Sequence, residues 1–280
     1  MLNDFWGFKN LLMGGGKLLR IMEDKNKPES KVKSIDKACK ILDLISQNRN
    51  GMRLMDIAKD MDLSLSAVHH IIRTLINNKL LCKNKDTGKY CLGFKIGELG
   101  NRYYANLPFY ENLMPYLKEI KDEFNETTNL IIIENSDFVL AESLSSSHSL
   151  QPIIFLNKKQ IHATAWGKIL LSSFADEDLD NFLKNYDFIK FTKNTIDNVD
   201  DMKVEINNIR KNNIAFDNEE LENGLCCAGI PVYGYRHRLV AAVTVSIPKN
   251  RLNDEIREKL VNRMLEILKD IQNKFGKKII

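Results

Sequence analysis

Several clusters in this sequence have residue types that could do chemistry. The first is catalytic in appearance: Ser145-Ser146-Ser147-His148-Ser149, and Cys227 with His162, each offer a nucleophile and a base. Neither lies in a Gly-x-Ser-x-Gly elbow, and the serine run reads as a polar loop, so no catalytic residue is expected. The second is metal-like. His69-His70 are adjacent and point to different helix faces, and Cys226-Cys227 are adjacent where chelation wants spacing, so no metal site is expected. No Gly-rich phosphate loop or dinucleotide fingerprint is present, so no cofactor is expected. The third cluster is different in kind. Ser64, Ser66, Ala67, His69, His70, Arg73 and Thr74 fall within eleven residues, with Lys83, Lys85 and Lys89 shortly after. Hydroxyls, imidazoles and cations in that pattern suit a polyanion: base edges near a helix start, phosphates further along, and a lysine-bearing hairpin against the neighbouring backbone.

The elements that position those residues are legible from apolar spacing. Ile35, Ala38, Ile41, Leu42 and Ile45 make one helical face. Leu54, Ile57, Ala58 and Met61 make a second, and Val68, Ile71, Ile72, Leu75 and Ile76 a third, with Ser64 as N-cap. Leu80–Cys82 and Lys89–Leu92 bracket a Gly-containing loop and read as a hairpin. Three short helices and a hairpin outline a winged helix-turn-helix over 34–93. A linker helix over 94–106 carries Ile96, Leu99 and Tyr103 on one side.

From Pro108 a helical stretch precedes a mixed region. Strands are expected around 130–133, 138–141, 152–156, 226–233 and 239–247, with helices around 163–173, 176–184, 200–212 and 253–275. That order predicts an α+β domain over 107–280 with a mainly antiparallel sheet. Residues 1–33, with Gly14-Gly15-Gly16 and a charged stretch to Lys33, read as a flexible N-terminal extension, or alternatively as an amphipathic arm for a partner subunit. They lack the features of a signal peptide.

Composition bounds the function classes. With 280 residues, 44% hydrophobic and 28% charged, the chain is an ordinary globular sequence, long enough that two domains are the better expectation. No run approaches the ~18 apolar residues of a membrane helix. Five scattered cysteines fit reduced thiols and a cytoplasmic protein. The net charge of +4 is unevenly spread. Residues 1–105 hold 19 basic and 11 acidic groups, a balance of +8, whereas the remaining 175 hold 22 and 26, a balance of −4. Only the front of the chain is expected to meet a polyanion.

Residues 34–100 resemble the N-terminal domain of the IclR family of bacterial transcriptional regulators. The resemblance rests on Ser34-Ile35-Asp36-Lys37-Ala38, Asp56-Ile57-Ala58, Leu63-Ser64-Leu65-Ser66-Ala67-Val68-His69, Asp86-Thr87-Gly88-Lys89-Tyr90 and the Leu92-Gly93…Gly97-Glu98-Leu99-Gly100 run. Leu65-Ser66-Ala67 and His69-His70 stand where family members usually carry Lys-Ser-Thr and His-Arg. His162-Ala163-Thr164-Ala165-Trp166-Gly167-Lys168 is similar to the family's loop-to-helix signature. Asp217-Asn218-Glu219-Glu220, Gly224-Leu225-Cys226-Cys227-Ala228, Pro231-Val232 and Ala241–Ser246 follow in the family's order.

The resemblance implies a GAF/PAS-like effector domain whose small-molecule pocket is lined at Ala165, Trp166, Asp217, Leu225, Cys227, Thr244 and Ser246. Trp166 stands where a small residue is common. It also implies a regulator that binds a double-stranded DNA operator as a homodimer or homotetramer and answers to a small-molecule effector, with a small carboxylate or sugar acid the first expectation. Other readings stay open at this stage: a small-molecule enzyme or a protein-interaction module carrying a winged helix. Each pocket residue has a plainer role as well. Cys227 serves as a buried small hydrophobe, Asp217 as a loop cap, His162 as an anchor for its own loop, and Thr244 and Ser246 share one strand face, inward or outward together.

Overall fold

The computed structural model describes residues 11–13, 17–19, 32–134, 137–152 and 156–275. Within the expected 1–33 extension, β1 (Leu11–Met13) pairs antiparallel with β2 (Lys17–Leu19), and nearly all the rest lies outside the described residues. The chain divides into two compact units, a first spanning residues 26–107 and a second grouping 1–25 with 108–280.

In the first unit, α1 (Lys33–Ser46), α2 (Leu54–Asp60) and α3 (Leu65–Asn77) turn their apolar faces inward around Ile41, Ile45, Ile57, Val68, Ile72 and Leu75. The turn between α2 and α3 is made by Asp62 in the left-handed region, and Ser64 Oγ accepts from the Ala67 N–H at 3.3 Å to cap α3. The wing is the antiparallel pair β3 (Leu81–Lys83) and β4 (Tyr90–Leu92). Its loop is folded by Asn84, whose Oδ1 accepts from the N–H groups of Asp86 and Thr87, with Gly88 at φ +68°. Met52 bridges to Tyr90, tying the loop before α2 to the wing. Gly51 makes that approach possible: a Cβ there would lie 2.6 Å from Cys91 Sγ and 2.7 Å from the Tyr90 carbonyl, and its φ is +67°. After the wing, α4 (Phe94–Ala105) has no buried residue.

In the second unit, five antiparallel strands lie in the order β6-β5-β9-β8-β7: β5 (Thr127–Glu134), β6 (Asp137–Leu144), β7 (Ala215–Asn218), β8 (Leu225–Tyr233) and β9 (Leu239–Pro248). One face packs on α6 (Ala165–Ser172), α7 (Asp176–Lys184) and α8 (Val199–Asn212) through a core that includes Ile131, Ile133, Trp166, Ile169, Phe182, Ile206 and Ala242. The opposite face carries α9 (Asp254–Phe275), where Arg257 stacks on the Phe216 ring. α5 (Tyr110–Phe124) joins α9 through the ion pairs of Arg263 with Glu119 and Glu123.

The antiparallel α+β architecture agrees with the sequence expectation, with two differences of detail. The expected helix 163–173 begins two residues later, because residues 158–163 form a 3-10 segment and the Thr164 hydroxyl caps α6 by accepting from the Gly167 N–H. Strand β7 was not expected: four residues with a central Asp leave too little alternation to read. Residues 153–155 of the strand expected over 152–156 lie outside the described residues.

Candidate functional site

Helix α3 presents Ser66, His69, His70, Arg73 and Thr74 on exposed positions, while Ala67 is half-buried. The division follows directly from the buried stripe Val68, Ile72 and Leu75. Ser64 is also exposed, but its hydroxyl oxygen is occupied as the cap acceptor, and Thr74 Oγ1 donates to the His70 carbonyl. On the wing, Lys83 and Lys85 are exposed and Lys89 is half-buried; Lys83 Nζ sits 5.4 Å from the Tyr90 ring centre. These ten residues therefore fall on a recognition-type helix and the hairpin that follows it, within one unit.

The second cluster is assembled on the sheet face that meets α6. Strand register sets it: Asp217 lies opposite Cys227, Cys227 opposite Ser246, and Thr244 opposite both Gly229 and Asn129. A Cβ on Gly229 would lie 3.0 Å from Thr244 Cγ2 and 3.4 Å from Ala165 Cβ, which places Thr244 and Ala165 on the same side of the sheet. Thr244 and Ser246 thus face inward together. Cys227 Sγ donates to Ser246 Oγ at 3.3 Å, Asn129 Nδ2 donates to Ser246 Oγ at 3.5 Å, and Ser143 Oγ donates to Asn129 Oδ1 at 2.7 Å. An uncharged polar lane, Ser143–Asn129–Ser246–Cys227, crosses four strands and ends beside Asp217. Leu225 is two residues from Cys227 on the same face and half-buried.

Trp166 is buried, its ring centre 4.4 Å from that of Phe138, within the apolar core under α6. Sequence reasoning placed it as a lining residue; its packing is that of a core side chain on the β6 side.

Electrostatics around Asp217 are unusual. Its Oδ1 accepts from the N–H groups of Glu220, at 2.7 Å, and Leu221, so it folds its own loop. Burial pushes its pKa up to about 7 against those two bonds, and the nearby Glu220 carboxylate adds to the rise. Beneath it, Lys168 Nζ donates to Glu220 Oε1 at 2.6 Å, the Phe216 carbonyl at 2.8 Å and Glu205 Oε1 at 3.2 Å. Three acceptors satisfy the ammonium. Gly167 lets the first turn of α6 pack against the preceding 3-10 segment, since a Cβ there would collide with the Ile161 backbone. Burial raises the Cys227 thiol's pKa, so it is a neutral wall, not a thiolate.

His162 is wholly buried. Its Nε2 faces the Ile189 carbonyl at 2.9 Å, which can only accept, so Nε2 carries the proton and Nδ1 accepts from Tyr186 Oη at 2.9 Å. Burial lowers its pKa. Among the described residues no group of three or more His, Cys, Asp or Glu is placed to hold a metal ion, and no helix is long and apolar enough to cross a membrane.

Sequence reasoning did not assign roles to Thr127, Asn129, Ser143, Lys168, Glu205 and Glu220. Thr127 and Asn129 had a signal: polar residues at alternate positions opening the apolar strand that continues Ile131, Ile133. Thr127 Oγ1 is buried without a hydrogen-bond partner.

A winged helix followed by an α+β unit with a polar, helix-covered sheet face defines a ligand-binding, DNA-binding class of protein. Residues 34–84 match the IclR helix-turn-helix domain, and residues 101–273, more than half the chain, match the bacterial transcriptional regulator IclR C-terminal domain. The chain belongs to the IclR family: it is a transcriptional regulator with a helix-turn-helix domain and a C-terminal effector-binding domain. It is 28% identical over 224 residues to the HTH-type transcriptional regulator XynR of Escherichia coli K12, covering 80% of this chain and 89% of that one. The crystal structure of the Thermotoga maritima IclR superposes with a TM-score of 0.68 at 27% identity, covering 87% of this chain and 99% of that one. An IclR homolog from Microbacterium hydrocarbonoxydans, solved with 4-hydroxybenzoate, shares the fold with a TM-score of 0.73 at 18% identity, over 86% of this chain and 99% of that one.

Proposed function

We propose that this regulator binds a double-stranded DNA operator as a homo-oligomer, a dimer at least, through α3 and the wing, and that its effector is a small hydroxylated carboxylate held between α6 and the sheet. On this reading it is a cytoplasmic regulator and not an enzyme. The observation that carries the effector class is the uncharged lane from Ser143 to Cys227, ending at the buried carboxyl of Asp217. Hydroxyl and amide groups read ligand hydroxyls. The anionic end belongs away from Asp217, where the first N–H groups of α6 at Ala165 and Trp166 favour negative charge. Thr127 Oγ1 gains a partner when a polar ligand enters. The bound 4-hydroxybenzoate of the Microbacterium homolog pairs a carboxylate with a hydroxyl, the same two chemistries.

The DNA assignment rests on Arg73, exposed on α3 clear of the buried stripe. Arg73→Ala is expected to weaken binding to the protein's own upstream DNA and to lower the salt dependence by about one unit of log–log slope. Unchanged affinity with an unchanged slope would take Arg73 off the interface. For the effector, thermal shift and native mass spectrometry against hydroxylated carboxylates should find a ligand that alters the gel shift. Turnover of that ligand would instead make the chain an enzyme.

A further inference from the structure

Cys82 and Cys91 face each other across the wing, as directly opposed residues of β3 and β4. The flanking bonds, Asn84 N–H to the Lys89 carbonyl and Gly93 N–H to the Leu80 carbonyl, both at 2.8 Å, lie two positions to either side. By the antiparallel alternation, Cys82 and Cys91 form a hydrogen-bonded pair, with Cα atoms about 5.5 Å apart. That lies inside the roughly 4.4–6.8 Å window of a disulfide. Being directly opposed, both side chains project from the same hairpin face, which by alternation is also the face of Lys89. Cys82 is exposed, and its Sγ leans across the hairpin to the Leu92 carbonyl at 3.4 Å; Cys91 is half-buried beside Gly51. Both thiols are free.

We propose that Cys82 and Cys91 are a redox-modification site: a dithiol that closes reversibly to a disulfide at the base of the wing and lowers operator affinity when closed. Cys82, the accessible thiol, attacks as thiolate one sulfur of a low-molecular-weight disulfide such as oxidised glutathione. One thiolate leaves and takes up the proton Cys82 gave up. Cys91, as thiolate, then attacks Cys82 Sγ, and the second small thiol leaves with the other proton. Two protein thiols lose two electrons, one S–S bond forms, and the external disulfide is reduced to two thiols. In a hydrogen-bonded pair the Cβ atoms are farther apart than in the alternate pair, so closure draws the strands together and twists the hairpin. A bond made under strain is also readily reduced, as a reversible device requires. The twist falls one residue from Lys83 and two from Lys89, which the DNA-binding reading places at the backbone; the coupling to DNA rests on that reading, whereas the thiol chemistry does not.

The test uses the full chain with oxidised glutathione, followed by intact mass and peptide mapping. Expected is the loss of two hydrogens with no added mass, a cross-link joining Cys82 to Cys91, and reversal by dithiothreitol. Cys82→Ser and Cys91→Ser should each stop at a mixed disulfide on the remaining wing cysteine, while exposed Cys39, changed to Ser, should leave the cross-link intact. In a gel shift the oxidised chain should bind upstream DNA about three- to tenfold more weakly than the reduced chain, and the double variant Cys82→Ser/Cys91→Ser, which carries neither wing thiol, should not respond. No cross-link, or a cross-link through Cys39, overturns the site. A cross-link with unchanged DNA affinity overturns its regulatory role. A reduced chain that shifts no DNA overturns the operator reading and the coupling with it, while the mapped cross-link still decides the chemistry.

Discussion

Lys168 on α6 and Glu220 in the loop after β7 form an ion pair at 2.6 Å in which the two side chains keep only 1% and 5% of their exposure. A buried pair is not in itself a source of stability, because desolvation offsets the attraction. What it supplies is position. Lys168 also binds the Phe216 carbonyl, one residue before Asp217, and Glu220 donates its own N–H to Asp217 Oδ1. The pair therefore ties the loop that carries Asp217 to Lys168 within α6.

Removing one partner leaves the other buried and uncompensated. Lys168→Ala is expected to cost about 3–5 kcal/mol of unfolding free energy, read from urea denaturation. Lys168→Ala with Glu220→Gln together should cost clearly less than the sum of the two single changes, since the orphaned carboxylate is gone. Strictly additive losses would mean that the pair does not couple.

Asp217 supplies a pH signature. Its folded-state pKa, about 7, lies above the ordinary carboxyl value of 3.8. Between those values the folded chain holds a proton that the unfolded chain has released. The group's favourable contribution is complete below about pH 4 and is lost as pH rises through 7. Asp217→Asn keeps the Oδ1 acceptor for the Glu220 and Leu221 N–H groups and removes the titration. The variant should therefore gain stability relative to the parent between pH 5 and 8, by about 2–4 kcal/mol. A difference independent of pH would refute the protonated state.

How much of this was legible beforehand differs between the two units. In α1 to α3 each helix buries one stripe of aliphatic residues, so the period alone separates Val68, Ile72 and Leu75 from the exposed Arg73 and His69. In the second unit the ligand face arises from register. Nothing local says that Asn129 meets Ser246 117 residues later, or that Cys227 lies opposite both Asp217 and Ser246. β7 is not legible because its Asp217 looks out of place in a strand until the Glu220 and Leu221 N–H groups are seen to donate to its Oδ1. Trp166 is a pocket position by the family resemblance alone; what no local pattern shows is that its ring packs on Phe138, 28 residues earlier and on β6.

Helix α4 makes the assembly testable. It buries none of its twelve residues, and Phe94, Leu99 and Tyr103 remain 83%, 47% and 40% exposed. Apolar residues of that size at one helix are consistent with association of two chains. Phe94→Glu with Leu99→Glu should convert a sedimenting dimer to monomer at micromolar concentration and weaken operator binding, with the thermal midpoint of the α+β unit unchanged. A parent chain that sediments as a monomer with and without DNA would defeat the homo-oligomer.

Trp166 provides the sharpest separation of core from ligand wall. Its indole is buried against Phe138 and packs in the same cluster as Ile131, Ile133 and Ile169. Truncation to Ala removes that packing and leaves a cavity bounded by apolar side chains, at a cost of about 3–5 kcal/mol. A cavity so lined stays dry, and a flat apolar molecule fills it at little cost in desolvation. Indole or benzene added to Trp166→Ala should raise its melting temperature in proportion to the logarithm of concentration above the dissociation constant, and should leave the parent unmoved. Trp166→Phe keeps the contact with Phe138 and should lose about half as much stability. If instead Trp166→Ala is nearly as stable as the parent and takes up larger hydroxylated carboxylates, the indole lines the effector site, as its place in the sequence first suggested. Calorimetry of one ligand series on the three proteins distinguishes the two outcomes.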